Sequence, residues 1–113
     1  MAQTINFSDV VKAQKEQQIN LIWRTMVGGF QQVNPYLAKS WGVHQPSGYV
    51  ADNGNPGLVM FCERKHLSVI VEHDQTNDRY TLSVKHDNKE QQDTIANGIT
   101  LEAIPTTIIE HLR

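Results

Sequence analysis

Five histidines, at positions 44, 66, 73, 86 and 111, and a single cysteine, Cys62, are the residues of this 113-residue chain best suited to metal or nucleophilic chemistry. His73-Asp74 and His86-Asp87 repeat as pairs, the combination in which a carboxylate orients an imidazole. Adjacent residues of a strand point to opposite faces, however, so each pair splays apart, and none of the usual zinc-ligand spacings occurs. No metal and no cofactor are expected. Cys62 with His86 is the next combination, a thiolate and an imidazole being a common nucleophile and base. In the strand register derived below Leu67 stands between them, a separation of roughly 10 Å over two inter-strand steps. A thiol on a core face is ordinarily inert packing.

His73 beside Tyr80, with Asp74 and Asp78 in the turn between them, is the third candidate: an acid–base cluster at a sheet rim, or a hydrogen-bond network that merely closes a hairpin. The carboxylate pairs Glu72/Asp74 and Glu90/Asp93 fall in strand ends and loops, where nothing raises a carboxyl pKa, so paired-acid hydrolysis has no support. Gly54-Asn55-Pro56-Gly57 precedes a strand and lacks a following Lys-Ser or Lys-Thr, which argues against a phosphate loop.

Hydrophobic spacing identifies the elements that must carry these groups. Ile19, Ile22, Trp23, Met26, Phe30, Val33 and Leu37 recur at intervals of three and four, the signature of one helical face. Ser8 is the expected N-cap, with Asp9 in the first turn and Val10 and Val11 opening the apolar side. Residues 12–18 contain Ala13 as their only apolar side chain and are expected to face water, project past the core or await a partner. Gly28-Gly29 predicts a bend or break between two packed helices, with close approach of another backbone as the alternative. Asn34-Pro35 predicts a short helix, Pro35 to Ser40, ending at Gly42.

From Tyr49 the period changes to two, predicting an antiparallel meander: Tyr49 to Asp52, Leu58 to Glu63, His66 to His73 and Arg79 to His86. A two-residue turn at Arg64-Lys65 sets Cys62 opposite Leu67, Met60 opposite Val69 and Leu58 opposite Val71. A turn centred on Thr76-Asn77 sets Val71 opposite Leu82, Val69 opposite Val84 and His73 opposite Tyr80. Both turns choose the same buried face. The reverse face should be polar, yet Val59, Phe61 and Ile70 form a contiguous apolar patch on it. Thr107-Ile108-Ile109-Glu110 has capping-box spacing, so a short C-terminal helix is expected either to cover this patch or to leave it to a second molecule. Asp87 to Asp93 reads as loop or short exposed helix, Asn97-Gly98 as a hairpin turn or helix cap, and Ile99 to Ile104 as the last strand. The expected fold is therefore α+β: N-terminal helices, one bent or broken at Gly28-Gly29, on one face of a four- to five-stranded antiparallel meander, with a short C-terminal helix, all in one domain spanning 1–113.

Ten Lys and Arg against twelve Asp and Glu give a net charge of -2, and 39% apolar residues place the chain among ordinary globular proteins. Residues 1–48 carry four basic and two acidic groups, net +2, too few for the phosphate contacts that dominate nucleic-acid binding, although Lys12, Lys15, Arg24 and Lys39 are the candidates for a basic helical side. The lone cysteine, the lack of a secretory start and an apolar run no longer than Gly57 to Cys62 lead to a cytoplasmic protein without a membrane partner. Trp23 belongs to the apolar stripe. Tyr36, Trp41 and Tyr49 flank one loop and, with Val59, Phe61 and Ile70, make the candidate interface. The expected function is a non-catalytic protein-binding module of the adaptor, inhibitor or immunity type that also associates with itself. The alternatives are a small enzyme using the His/Asp/Tyr rim cluster and a weak nucleic-acid binder using the helical lysines.

Overall fold

The computed structural model describes residues 7–43 and 46–112, with side chains from residue 13 onward. A long helix, α1 (Phe7–Val33), is followed by one turn of helix, α2 (Leu37–Ser40), and five strands: β1 (Ser47–Val50), β2 (Pro56–Cys62), β3 (Leu67–Asp74), β4 (Arg79–His86) and β5 (Asp93–Ile99). A last helix, α3 (Ile104–Leu112), completes the described order. The strands pair antiparallel in sequence order, so the sheet is a plain meander. The two central registers are those the side-chain alternation predicts: Cys62 faces Leu67 and Met60 faces Val69 across β2–β3, while Val71 faces Leu82 and His73 faces Tyr80 across β3–β4. One face of the sheet is thereby apolar along three consecutive strands. Ile22, Met26 and Phe30 of α1 pack onto it and are buried.

α1 continues without a break through Gly28-Gly29. The glycines serve packing. A Cβ on Gly29 would stand 2.3 Å from Pro105 Cγ, whereas one on Gly28 would meet nothing within 4 Å. Gly29 thus lets α3 approach the α1 backbone, the close-approach alternative. The helix already includes Phe7, one residue ahead of the expected cap Ser8, whose side chain lies outside the described residues.

The C-terminal third departs most from expectation. Asp93–Ile99 is the fifth strand, and Asn97-Gly98 lies inside it, as neither hairpin turn nor helix cap. Gly98 takes φ +67° there, and the β4–β5 register shifts on either side of Leu82. The segment expected as a strand, Ile99 to Ile104, instead forms a short 3-10 turn, Leu101–Ala103, leading into α3. Spacing explains the outcome: Ile104, Ile108, Ile109 and Leu112 follow one helical face, and all are buried. Pro105 in the first turn of α3 loses no helical hydrogen bond. Thr107 does not cap; its hydroxyl donates to the Ala103 carbonyl at 2.7 Å. The placement of α3 decides between the two alternatives for the apolar patch: α3 joins the core beside α1 and leaves the reverse face of the sheet uncovered by any described helix.

Candidate functional site

The open face of the sheet is built from alternate residues of each strand, and the register orders them into rows. Ser47, Val59, Ile70, Ser83 and Thr94 form the central row, one residue from each of β1 to β5. Val59 and Ile70 face one another and are half-buried, with Phe61 two residues along β2 and 38% exposed. Ser83, at the middle of the face, is buried. Five hydroxyl side chains (Ser47, Ser68, Thr81, Ser83, Thr94) therefore lie around an apolar centre, with the charged residues Glu72, Lys85, Asp74 and Arg79 toward the strand ends.

Tyr49 crosses the same face. It stands opposite Gly57, where a Cβ would lie 2.2 Å from the ring Cζ, so the ring occupies the space a side chain on Gly57 would need. Its hydroxyl donates to Glu72 Oε1 at 3.4 Å, a long contact. Burial chiefly, then the negative charge of Glu72 and the bond to it, push the phenol up to about 12. The other two aromatic candidates separate from it. Trp41 is a correction: it is 4% exposed and meets Phe30 edge-on at 5.3 Å, so it anchors the core and offers no interface. Tyr36 is 72% exposed at the start of α2.

At the opposite end of the strands from Cys62, the structure does bring His73, Asp78 and Tyr80 together. His73 Nε2 donates to Asp78 Oδ1 at 2.7 Å, because a carboxylate can only accept. The His73 and Tyr80 rings lie 4.8 Å apart, and Gln18 of α1 donates to the Tyr80 hydroxyl. Asp78 adopts φ +53° in the β3–β4 turn. Asp74 is excluded from this cluster. Its carboxylate accepts the Thr76 hydroxyl at 2.6 Å and the Thr76 amide at 3.0 Å, contacts that hold it below the usual carboxylate range.

An open cleft of about 460 Å3 adjoins the cluster, lined by Gln18, Leu21, Asp78, Tyr80, Leu101 and Glu102 among others. His73 does not line it. Its Nδ1 is buried without a partner, the single such side-chain atom among the described residues, so the free nitrogen of the Asp-His pair does not reach the cleft.

No family model, curated protein or solved structure matches the chain.

The remaining sequence candidates stay apart. Cys62 and His86 each flank Leu67 from neighbouring strands and do not meet. His66 sits in the β2–β3 turn with φ +54°, and His44 lies outside the described residues. Among the described residues no three His, Cys, Asp or Glu side chains converge as metal ligands, and no helix is long and apolar enough to cross a membrane. Lys15 and Arg24 are nine residues apart on α1, about 180° around the helix at ~100° per residue, and share no side.

Cys62 is fully buried, and burial pushes its thiol up to about 11 despite the positive charge of Lys65. Both Cys62 and Tyr49 hold their protons more tightly when folded. Their stabilising contribution is therefore complete below pH 9 and is lost as pH climbs, from 9.0 to about 11 for the thiol and from 10.0 to about 12 for the phenol. Native protein at pH 8 is expected to resist iodoacetamide until it unfolds, and on the alkaline side its urea midpoint should begin to fall above about pH 9. Rapid labelling of the native thiol contradicts this.

Sequence reasoning missed Gln18, whose contact with Tyr80 spans 62 positions and has no local signal. It also missed the Tyr49 crossing, for which a strand glycine facing an aromatic is the recognisable sign.

Proposed function

We propose that the protein is a non-catalytic binding module that engages another protein through the open face of its sheet. One observation carries this reading: the only described element with spare apolar surface at the C-terminal end, α3, packs into the core, and Val59, Ile70 and Phe61 remain at the surface of the reverse face. The uncharged central row, Ser47, Val59, Ile70, Ser83 and Thr94, fits a protein partner, since the core of a protein interface is poor in charged groups that would have to be desolvated. Five strands about 4.8 Å apart and seven residues of about 3.3 Å each give a face of roughly 500 Å2, below the ~800 Å2 per partner of a standard stable complex. A single copy thus suits a transient contact.

The rim cluster supports catalysis less well. The Asp78–His73 pair resembles a base with its orienting acid, but the free nitrogen is enclosed and does not open on the cleft, so it cannot activate Thr100, the aliphatic hydroxyl that lines it. Ile70→Lys and Phe61→Asp, checked for native circular dichroism, are expected to lose tenfold or more of whatever host protein is cross-linked to wild type, a drop of about 1.4 kcal/mol or more. His73→Gln and Tyr80→Phe should retain it. The reverse pattern, with the face variants unaffected, would move the function to the rim.

A further inference from the structure

The two edges of the sheet differ in how they are defended. β5 carries register shifts, a left-handed Gly98 and Asp93 at its start, features that discourage a further strand. β1 has none of these: Ser47-Gly48-Tyr49-Val50 pairs with β2 in unbroken register and holds no charge and no proline. The direction of its backbone groups follows from the ladder. The Ala51 amide donates to the Asn55 carbonyl at 2.8 Å, toward β2, and Pro56 has no amide to give Val50. Alternation then turns the Tyr49 and Ser47 groups toward β2 and those of Val50 and Gly48 outward.

Gly48 and Val50 also share the helix side of the sheet. There they line a groove of about 500 Å3 between α1 and the β1 edge, together with Ile19, Asn20 and Lys15. Helix and strand approach closely, since a Cβ on Gly48 would stand 3.0 Å from Ile19 Cδ1. Val50 is 53% exposed.

We propose that two copies of the chain join β1 to β1 across a two-fold axis at Tyr49, making one continuous ten-stranded sheet. The edge is self-complementary. With Tyr49 opposite its symmetry mate, Gly48 of one protomer faces Val50 of its partner, and the four outward amides and carbonyl oxygens form two reciprocal hydrogen-bonded pairs. Each Val50 side chain enters the other protomer's groove at the one position where the facing residue, Gly48, has no side chain, and rests against Ile19. The two open faces become contiguous, roughly doubling the surface available to a third molecule. This pairing concerns the edge and does not depend on what the face binds.

The test is sedimentation equilibrium of the full chain with Val50→Pro, Val50→Asp and Ile70→Lys. Val50→Pro removes an outward amide only, because the β1–β2 ladder uses none at that position. Wild type is expected to be a dimer. Both Val50 variants should weaken it about tenfold or more, the loss of two hydrogen bonds or of the groove contact, and Ile70→Lys should leave it intact. Amide exchange on wild type provides a readout independent of mutant folding: the Gly48 and Val50 amides should gain protection with rising concentration, and the Tyr49 amide should not. A wild-type monomer at millimolar concentration, or a dimer that Ile70→Lys dissociates and the Val50 variants do not, overturns the proposal.

Discussion

Replacing Ile108 with alanine is expected to destabilise the protein by about 2–5 kcal/mol, read as a fall in urea midpoint at unchanged slope. Ile108 is fully buried in the core cluster that also contains Met26 of α1 and Leu82 of β4, so the truncation removes apolar volume from a packed interior. Total stabilities of domains this size run about 5–15 kcal/mol, so the loss consumes a large share. Ile70→Ala, on the open face, removes a half-buried side chain of the same size and should cost well under half as much. Equal costs for the two would mean that α3 does not dock on the helix side.

The second large effect is a difference in sign between neighbours. Gly28→Ala is expected to stabilise by about 0.5–1 kcal/mol, since its Cβ meets open space and alanine restricts the unfolded chain. Gly29→Ala gains the same helical preference and loses more. Its Cβ would lie 2.3 Å and 2.4 Å from two Pro105 ring carbons, and a proline ring has no rotamer by which to withdraw. Separating α1 from α3 by the required ångström or more should cost about 1–3 kcal/mol. Thermal melts of the two variants should therefore move in opposite directions, and parallel shifts would disprove the α1–α3 contact.

The central registers were legible because two independent turns had to agree on one apolar face, and a slip of one residue would have turned Leu58, Met60, Val69 and Val71 to water. β1 was read two residues late, since Ala51 looks like strand but is taken by the turn, accepting the Gly54 amide at 2.8 Å. The end of the chain was misread for a different reason. Over six residues, Ile99 to Ile104 alternates as a strand does, and only Ile108 and Leu112 extend the helical spacing far enough to decide. Trp41 was ambiguous because its role depends on Phe30, eleven residues away. At the candidate sites, the His73–Asp78–Tyr80 cluster was readable because a hairpin places those residues side by side. The enclosed His73 nitrogen and the reach of Gln18 depend on where α1 lies, which no local pattern records.

The meander has a consequence for biosynthesis. Each strand pairs with the one made just before it, so hairpins can close in order as the polypeptide emerges, at about 5–20 residues per second. α3 is translated after all five strands, yet it supplies Ile104, Ile108, Ile109 and Leu112 to the interior. A nascent or prematurely terminated chain lacking it leaves part of the greasy layer unroofed, and that species is the one on which chaperones and proteases would act.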